Sequence, residues 1–300
     1  MADNNGKFVV NENMAGKVAV VTGANRGLGY EVVRALCERV PEVTVYLTAR
    51  DEVAGLQAVQ ELNKLGLNPQ FHQLDVTNKQ SVANLADFIK ATHGGFDYLV
   101  NNAAILDYED VYPDYEAAKK NIDCNYRSLL TIEEYLFPLL REGARVVNIS
   151  SACGHLSNLR NEAWIKMLKD PELTTEQLNS FVDHYLQSVR DGSFRRQDFA
   201  DEGRHAEHRV SKVAVTALTM IQARKYASRH ISVNALHPGH LATAMARGGG
   251  VTSPARAAAL VLYALLDASP ALSGAFLWHD RRLVDWYDHR GDYHYVHKEL

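Results

Sequence analysis

The chain of 300 residues has few cysteines, and they are widely separated. Cys37, Cys124 and Cys153 are an odd number and show no CxxC spacing. This pattern indicates reduced thiols in a reducing compartment, and it argues against a disulfide framework or a metal cluster. The histidines between residues 279 and 297 fit no standard metal site, so we expect a solvated tail there. We therefore expect a cytoplasmic protein that binds no metal.

Long apolar runs and an excess of positive charge are also missing. The longest apolar run, residues 257–266, is too short to span a bilayer and fits a core helix. Residues 1–16 lack the basic and apolar regions of a signal peptide, so we interpret them as an N-terminal extension before the folded domain. The net charge of −4 gives no electrostatic reason to expect nucleic acid or a membrane surface as a partner.

The sequence does contain a strand, a glycine-rich turn and a helix in residues 18–36. Residues 18–21 are uninterrupted apolar residues, which is typical of a parallel strand buried on both faces. Gly23 permits a tight turn, Gly27 lets a ligand approach the backbone, and Gly29 lets the helix pack closely against the sheet. The free N–H groups at the start of such a helix suit a pyrophosphate, so the pattern predicts a nucleotide-binding turn.

The glycine spacing TGxxxGxG, from Thr22 to Gly29, resembles that of the short-chain dehydrogenase/reductase family, and within it the monomeric carbonyl reductases. The resemblance implies an α/β fold with a doubly wound, Rossmann-type parallel sheet of about seven strands. It implies a single catalytic domain over residues 17–280, with a helical insertion at 154–206 before the active-site helix. Residues 281–300 are then a C-terminal tail.

The end of the second predicted strand favours NADP(H) as the cofactor. Ala49 stands where NAD-preferring members of the family carry an aspartate, and Arg50 follows it. Arg26 lies inside the glycine turn. Two guanidinium groups can bind a 2′-phosphate through paired hydrogen bonds, so the sequence predicts NADP(H) rather than NAD(H).

The resemblance implies further cofactor contacts along the chain. Asp75 lies in a string that resembles the family's adenine-side contact, and Asn102 lies in a variant of its NNAG motif beside the adenosine ribose. A later Pro-Gly motif implies contacts to the nicotinamide carboxamide and a phosphate. The expected cofactor-binding residues are Gly23, Asn25, Arg26, Gly27, Leu28, Gly29, Arg50, Asp75, Val76, Asn102, Ala103, Lys212, Pro238, Gly239, Leu241 and Thr243.

Four residues match the positions of the family's catalytic set. Asn125 lies in NIDCNYRSLL, which resembles the helix whose asparagine opens a backbone carbonyl to a water. Ser151 follows the fifth predicted strand and matches the serine that holds the substrate carbonyl. Lys212 matches the lysine that binds the nicotinamide ribose. The position of the proton-donating tyrosine, four residues earlier, is occupied by His208.

This histidine changes the expected chemistry. A tyrosine has an ordinary pKa of about 10, and a nearby lysine favours its phenolate. A histidine has an ordinary pKa of about 6.5 and loses its proton more readily beside the same cation, so we expect His208 to be neutral at neutral pH. A neutral imidazole donates a hydrogen bond but is a poor acid, which favours a bridging water. The one literal YxxxK, Tyr115 to Lys119, falls where the family has no catalytic pair, and we interpret it as a chance match.

Three functions are compatible with this site. The first, which we favour, is an NADPH-dependent reductase of a carbonyl (ketone or quinone) or an imine in a small organic substrate. The second is a non-redox isomerase or cyclase on the same scaffold, with His208 as general base. The third is a protein that binds NADP(H) without turnover, including an inactivating Tyr-to-His change.

The insertion contains a strongly patterned helix. Thr174 and Gln177 can form a capping box, and apolar residues then recur at helical spacing from Leu178 to Val189. We expect this helix to cover the surface that other family members use for dimerisation. The sequence therefore predicts a monomer.

Overall fold

The computed structural model describes residues 16–106, 114–199, 206–242 and 249–290, and its centre is one sheet of eight strands. The strands are β1 (Val18–Val21), β2 (Thr44–Ala49), β3 (Gln70–Gln73), β4 (Phe96–Asn101), β5 (Leu140–Ile149), β6 (Ser232–Leu236), β7 (Phe276–Leu277) and β8 (Leu283–Val284). Their order in the sheet is β3-β2-β1-β4-β5-β6-β7-β8. Neighbours from β3 through to β7 are parallel, and β8 is antiparallel to β7.

Helices connect the strands, and two of them continue into a π-helical turn. The helices are α1 (Gly27–Arg39), α2 (Glu52–Lys64), α3 (Lys79–His93), α4 (Tyr115–Ile122), α5 (Ser128–Leu136), α6 (Glu162–Leu168), α7 (Thr175–Arg190), α8 (Arg196–Phe199), α9 (Ala206–Lys225) and α10 (Pro254–Leu262). The π-helical turns are Asp123–Arg127 after α4 and Tyr263–Asp267 after α10. None of the helices in the described ranges is long and apolar enough to cross a membrane.

Both faces of the sheet are covered, and β1 shows why its sequence is continuously apolar. Val18 and Val20 point into the core that contains side chains of α3, α5 and α9. Ala19 and Val21 point into the opposite core, which contains side chains of α1, α2 and α10. Because successive side chains of a strand face opposite sides, a strand between two helical layers needs apolar residues at every position. The predicted doubly wound α/β fold is confirmed.

The sheet reverses its direction of growth between β1 and β4. β1, β2 and β3 extend one way, and the chain then returns to place β4 on the other side of β1. In doubly wound folds the crevice at the carboxyl ends of two such strands is the usual ligand site. The glycine turn after β1 and Asn102 after β4 both lie at this crevice.

The insertion between β5 and α9 is helical, as expected. Thr174 and Gln177 form the capping box at the start of α7. Leu178, Phe181 and Val182 are buried on the face of α7 that packs against α4 and α9. The insertion is thereby joined to the helices that carry the candidate catalytic residues.

The expectation of a solvated tail after residue 280 is wrong for its first part. Leu283 and Val284 form β8 at the edge of the sheet, and Trp286 is 2% exposed. A tight turn at residues 278–282, closed by Trp278 N–H to Arg282 O at 2.9 Å, brings this segment back against β7. The boundary at residue 280 is therefore too early. Residues 1–15 of the predicted extension 1–16, and the last ten residues of the chain, lie outside the described ranges.

Candidate active site

The turn after β1 and the start of α1 lie so close to the residues that follow β4 that side chains larger than glycine would collide with them. Gly23 has φ +61°, and a Cβ on it would lie 2.8 Å from the Cα of Ala103. A Cβ on Gly29 would lie 2.5 Å from Asn102 Nδ2. Asn102 itself donates to Thr22 O at 2.9 Å and to Gly23 O at 3.0 Å. The asparagine thus joins the ends of β1 and β4, and glycine is needed at both positions, 23 and 29.

The first turn of α1 offers N–H groups to an anion. Helix α1 begins at Gly27, and the preceding residue, Arg26, makes no side-chain capping bond. Ala24 N–H donates to Thr48 O at 2.8 Å, which holds this turn beside the end of β2. Arg26 and Arg50 are both exposed, one in the turn and one directly after β2. An uncapped helix start with two nearby guanidinium groups fits the phosphates of NADP(H).

The other expected adenosine residues follow β3, next to β2. Leu74 N–H donates to Ala49 O at 2.9 Å, which places Asp75 beside the segment that carries Arg50. Asp75 Oδ1 accepts from the N–H of Thr77 at 2.9 Å and from its hydroxyl at 2.7 Å. Val76 is buried. Of the remaining turn residues, Asn25 is half-buried and Leu28 is buried.

Asn125 lies at the centre of the π-helical turn Asp123–Arg127. Single π-helical turns interrupt the regular hydrogen bonding of a helix and are frequent at functional sites. The Asn125 side chain accepts from Ile105 N–H at 2.8 Å and donates to Ile105 O at 2.9 Å, which anchors the chain after β4. It also donates to Ser211 Oγ on α9 at 3.3 Å. Asn125 therefore connects the end of β4 with the helix that carries Lys212.

The amine of Lys212 is buried at the end of β5. Lys212 Nζ donates to Ile149 O at 2.8 Å. Burial lowers the pKa of Lys212 to about 8, and the nearby thiols of Cys124 and Cys153 act in the opposite direction. An ammonium has three donors, and the described residues provide an acceptor for one of them. The site thus has a buried cation with donors left for a ligand.

Lys212 joins helix α9 to the end of β5. Ser151 lies just after β5, and His208 lies on α9. Ser151 Oγ accepts from Cys153 N–H at 3.2 Å, so its own hydrogen is left to donate to another group. His208 is half-buried in the first turn of α9, one turn before Lys212. Its carbonyl accepts from Ser211 Oγ at 2.8 Å. Since Asn125 also donates to the Ser211 hydroxyl, this hydroxyl links Asn125 to the backbone of His208.

The Pro-Gly segment follows β6, at the same edge of the sheet as Ser151. Gly239 has φ +87°, and a Cβ on it would lie 2.8 Å from Thr252 Oγ1. Ala242 N–H donates to Thr252 O at 2.9 Å, and Leu241 bridges to the same residue. Pro238 is buried. The expected contact at Thr243 lies outside the described residues.

The literal YxxxK at the start of α4 has other partners. The hydroxyl of Tyr115 is hydrogen-bonded to the guanidinium of Arg190 on α7, and that guanidinium also lies over its ring. Lys119 forms an ion pair with Asp123. The first contact joins the surface of α4 to the insertion, and the second lies within α4 and the π-helical turn that continues it.

Several buried polar residues around Ser151 were not identified from the sequence. His237 accepts from Ala152 N–H, Asn158 donates to Ala152 O, and Trp286 donates to Gly154 O at 2.7 Å. Trp286 could have been suspected, because Val284 and Trp286 are apolar residues on either side of the polar Asp285. His237 and Asn158 have no such signal, since their partners are backbone groups brought together by the fold.

Comparison with known proteins assigns the family. Residues 17–164 match the family model described as short chain dehydrogenase, and the chain belongs to the short-chain dehydrogenase/reductase family. Within it the chain is a carbonyl reductase-like oxidoreductase: it is 36% identical over 279 residues to NADPH carbonyl reductase 1 of Oryctolagus cuniculus, across 90% of this chain and 98% of that protein. The resemblance identified from the glycine spacing is confirmed.

Two solved structures of plant reductases are similar throughout. Salutaridine reductase from Papaver somniferum has a TM-score of 0.79 and 31% identity, and the match covers 88% of this chain and 99% of that one. Menthone neomenthol reductase from Mentha piperita has a TM-score of 0.74 and 29% identity, with 88% and 98% covered. The match to these structures extends through nearly their whole length.

Proposed function

We propose that this chain is an NADPH-dependent reductase of a ketone, quinone or imine in a small organic substrate. The observation that carries the proposal is the buried amine of Lys212, which meets the end of β5 two residues before Ser151. A buried cation is costly to maintain, and such groups are found where charge is needed for a ligand or a reaction. The names of the relatives, which include an NADPH carbonyl reductase and a menthone reductase, support the same chemistry.

NADP(H) is the cofactor that these residues fit best. The N–H groups at the start of α1 would hold the pyrophosphate, and Arg26 with Arg50 would hold the 2′-phosphate. Lys212 would hold the nicotinamide ribose with the donors that Ile149 O leaves free. When bound, the nicotinamide supplies the hydride, and everything else in the reaction is done by the chain.

The chain's own groups orient and polarise the substrate. The hydroxyl of Ser151 donates to the carbonyl oxygen or imine nitrogen, because its oxygen is already capped by Cys153 N–H. This bond strengthens as negative charge develops on the substrate heteroatom. Asn125, held through Ile105 and Ser211, orders the water that resupplies the proton.

His208, or a water that it holds, delivers the proton to the product. It lies one helical turn before Lys212, in the position where the family carries its tyrosine. The start of α9 and the ammonium of Lys212 both disfavour a second positive charge, so the imidazole acts mainly in its neutral form. This weak donor is also why a non-redox reaction with His208 as base, or binding without turnover, stays a competing hypothesis.

The proposal is tested by following NADPH consumption with a panel of substrates: menthone, salutaridine, a quinone and a cyclic imine. We expect turnover of at least one of them, and we expect Ser151→Ala to lower kcat by about a hundredfold. Conversion of a substrate without cofactor consumption would instead favour the non-redox enzyme. Tight NADPH binding without any conversion would favour the silent binder.

Cofactor preference has a matched pair of variants in the same assay. Arg50→Ala should reduce the preference for NADPH over NADH by about tenfold, because one of two guanidinium partners of the 2′-phosphate is lost. Arg195→Ala removes an exposed arginine on the insertion and should leave the preference unchanged. Equal affinities for the two cofactors in the parent chain would contradict the assignment of Arg26 and Arg50.

A further inference from the structure

The backbone of Ala152, the residue after Ser151, is bonded to buried side chains at both its N–H and its C=O. Ala152 N–H donates to His237 Nδ1 at 3.0 Å, and Ala152 O accepts from Asn158 Nδ2 at 2.9 Å. Ala152 and His237 are each 2% exposed, and Asn158 is fully buried. The N–H belongs to the peptide between Ser151 and Ala152, and the C=O to the peptide between Ala152 and Cys153. Neither peptide can rotate without breaking a bond to a buried side chain. Because the first of these peptides contains the Ser151 carbonyl, the orientation of the serine is linked to it.

His237 is suited to accept this hydrogen bond permanently. An acceptor at Nδ1 requires that nitrogen to be unprotonated, so the proton of the neutral ring is on Nε2. Burial, with smaller contributions from His279 and His240, lowers the pKa of His237 to about 3. The ring packs on Trp278, with the ring centroids 4.4 Å apart. The acceptor therefore stays in place over the whole pH range in which a reductase works.

Asn158 connects the backbone of Ala152 to the catalytic helix. Its amide nitrogen also donates to His155 O at 3.0 Å, and its oxygen accepts from the guanidinium of Arg209. Arg209 is buried and directly follows His208 on α9. Both hydrogens of the Asn158 amide nitrogen are therefore used, one by Ala152 O and one by His155 O. The segment after Ser151 is thus joined to the Pro-Gly segment on one side and to the first turn of α9 on the other.

We propose that His237, Asn158 and Arg209 are positioning residues, a clamp on the Ala152 backbone that holds the Ser151 hydroxyl in position relative to His208 and Lys212. The inference rests on the proposed function, since it assigns Ser151 to the substrate carbonyl. The clamp is assigned a role through the backbone and no contact with the substrate. It acts by keeping the donor at the distance and angle that the developing oxyanion needs, and displacement by about an ångström can cost a hundredfold in rate.

The test compares two replacements of His237 that have similar size. His237→Leu removes the acceptor, whereas His237→Asn retains an oxygen close to the position of Nδ1. We expect His237→Leu to lower kcat by about tenfold to a hundredfold on the panel ketone that the parent reduces fastest, with the dissociation constant for NADPH unchanged. His237→Asn should restore most of the loss. In the Ser151→Ala background, His237→Leu should have little further effect on kcat, because the clamp acts through Ser151.

Two further variants separate positioning from general stability. Asn158→Leu breaks the clamp from the other side and replaces His237→Leu if that variant does not fold. Asn234→Leu is the matched control: this buried asparagine also bonds two backbone groups, Leu272 O at 2.8 Å and Ala275 N–H at 3.0 Å, but beside β7. It should lower the free energy of unfolding and leave kcat close to that of the parent.

Amide hydrogen exchange at Ala152 gives a readout that needs no turnover. Exchange should rise by about tenfold or more in His237→Leu and return toward the parent rate in His237→Asn. The inference is overturned if exchange is the same in all three proteins, if kcat is unchanged while exchange rises, or if the loss in kcat adds fully to that of Ser151→Ala. A parent chain that reduces no member of the panel would contradict the proposed function, while the exchange rates would still show whether His237 holds the peptide.

Discussion

Burying the charge of Lys212 is the main energetic cost of the site. Its amine is removed from water, and within the described ranges it has no carboxylate partner, only Ile149 O. The cost of burying the charge is expressed as a lowered pKa. A protein without a ligand for this cation would gain stability from an apolar residue there.

This cost predicts how stability depends on pH. The pKa of Lys212 is about 8 in the folded chain, and the ordinary value is 10.5. Between these values the unfolded chain binds more protons, so raising the pH favours folding. Parent and Lys212→Met, compared by urea unfolding, should differ most below pH 8. The advantage of Lys212→Met should then shrink by about 3 kcal/mol as the pH approaches 10.5. A difference that does not change with pH would contradict the buried-cation assignment.

The role of His208 predicts a characteristic loss of rate. His208→Phe keeps a ring and removes the proton donor, so kcat should fall by about a hundredfold. In the parent, kcat should fall as the pH rises from 5 through the pKa of the imidazole, because the imidazolium is the stronger acid. Steady-state rates from pH 5 to 9 measure both effects. Unchanged kcat in His208→Phe would show that the proton comes from another group, and a large gain in His208→Tyr would indicate a weakened tyrosine site.

Single residues were predictable from the sequence where the chain carries a local pattern. Gly23 and Gly29 could be located because a tight turn before a helix requires glycine at fixed spacing. The clamp around Ala152 could not, because residues 152, 158, 209 and 237 meet only after β5, β6 and α9 are assembled. The sequence holds no local signal for a side chain whose partner is a distant backbone group.

At the scale of elements, α7 braces the π-helical turn that contains Asn125. Tyr126 is fully buried, and its hydroxyl donates to Asn179 Oδ1 on α7 at 2.8 Å. One turn further along α7, Asp183 pairs with Arg127 at 2.7 Å. The exposed ion pair contributes little, whereas the buried hydroxyl has to keep its partner.

The brace predicts coupled losses of stability. Tyr126→Phe should lower the free energy of unfolding by about 1 kcal/mol, because a buried hydrogen bond is lost without creating a cavity. Asn179→Leu leaves the Tyr126 hydroxyl unsatisfied and should cost about 2 kcal/mol. Urea unfolding of the double variant should show less than the sum of the two losses. Strictly additive losses would mean that the two side chains do not interact.

Element types followed from periodicity, and the errors lie at short or irregular segments. The apolar strand β1 and the capping box of α7 have strong local signals. β8 has two residues, and no alternating pattern can be recognised in two positions. Packing holds this segment, in which Val284 and Trp286 are buried. The two π-helical turns likewise have no signature that distinguishes them from α-helix.

At the scale of the whole molecule, the position of α7 predicts a monomer. It packs against α4 and α9, and the apolar residues along it are buried within the chain. An additional copy would then find a polar helix surface instead of an apolar one. Light scattering at micromolar concentration should give a mass near 33.5 kDa. A dimer or tetramer mass would contradict this assignment and require another surface for association.

Hydride transfer to a substrate held beside Ser151 and Lys212, at the end of β5, is the central claim, and isotope transfer tests it most directly. The chain is incubated with a panel ketone and NADPH that carries deuterium at both C4 positions, and the product is analysed by mass spectrometry. We predict one deuterium on the former carbonyl carbon, with product and oxidised cofactor formed in equal amounts, and a strong loss of both in Ser151→Ala. Product that contains no deuterium, formed while the cofactor is unchanged, would contradict the account.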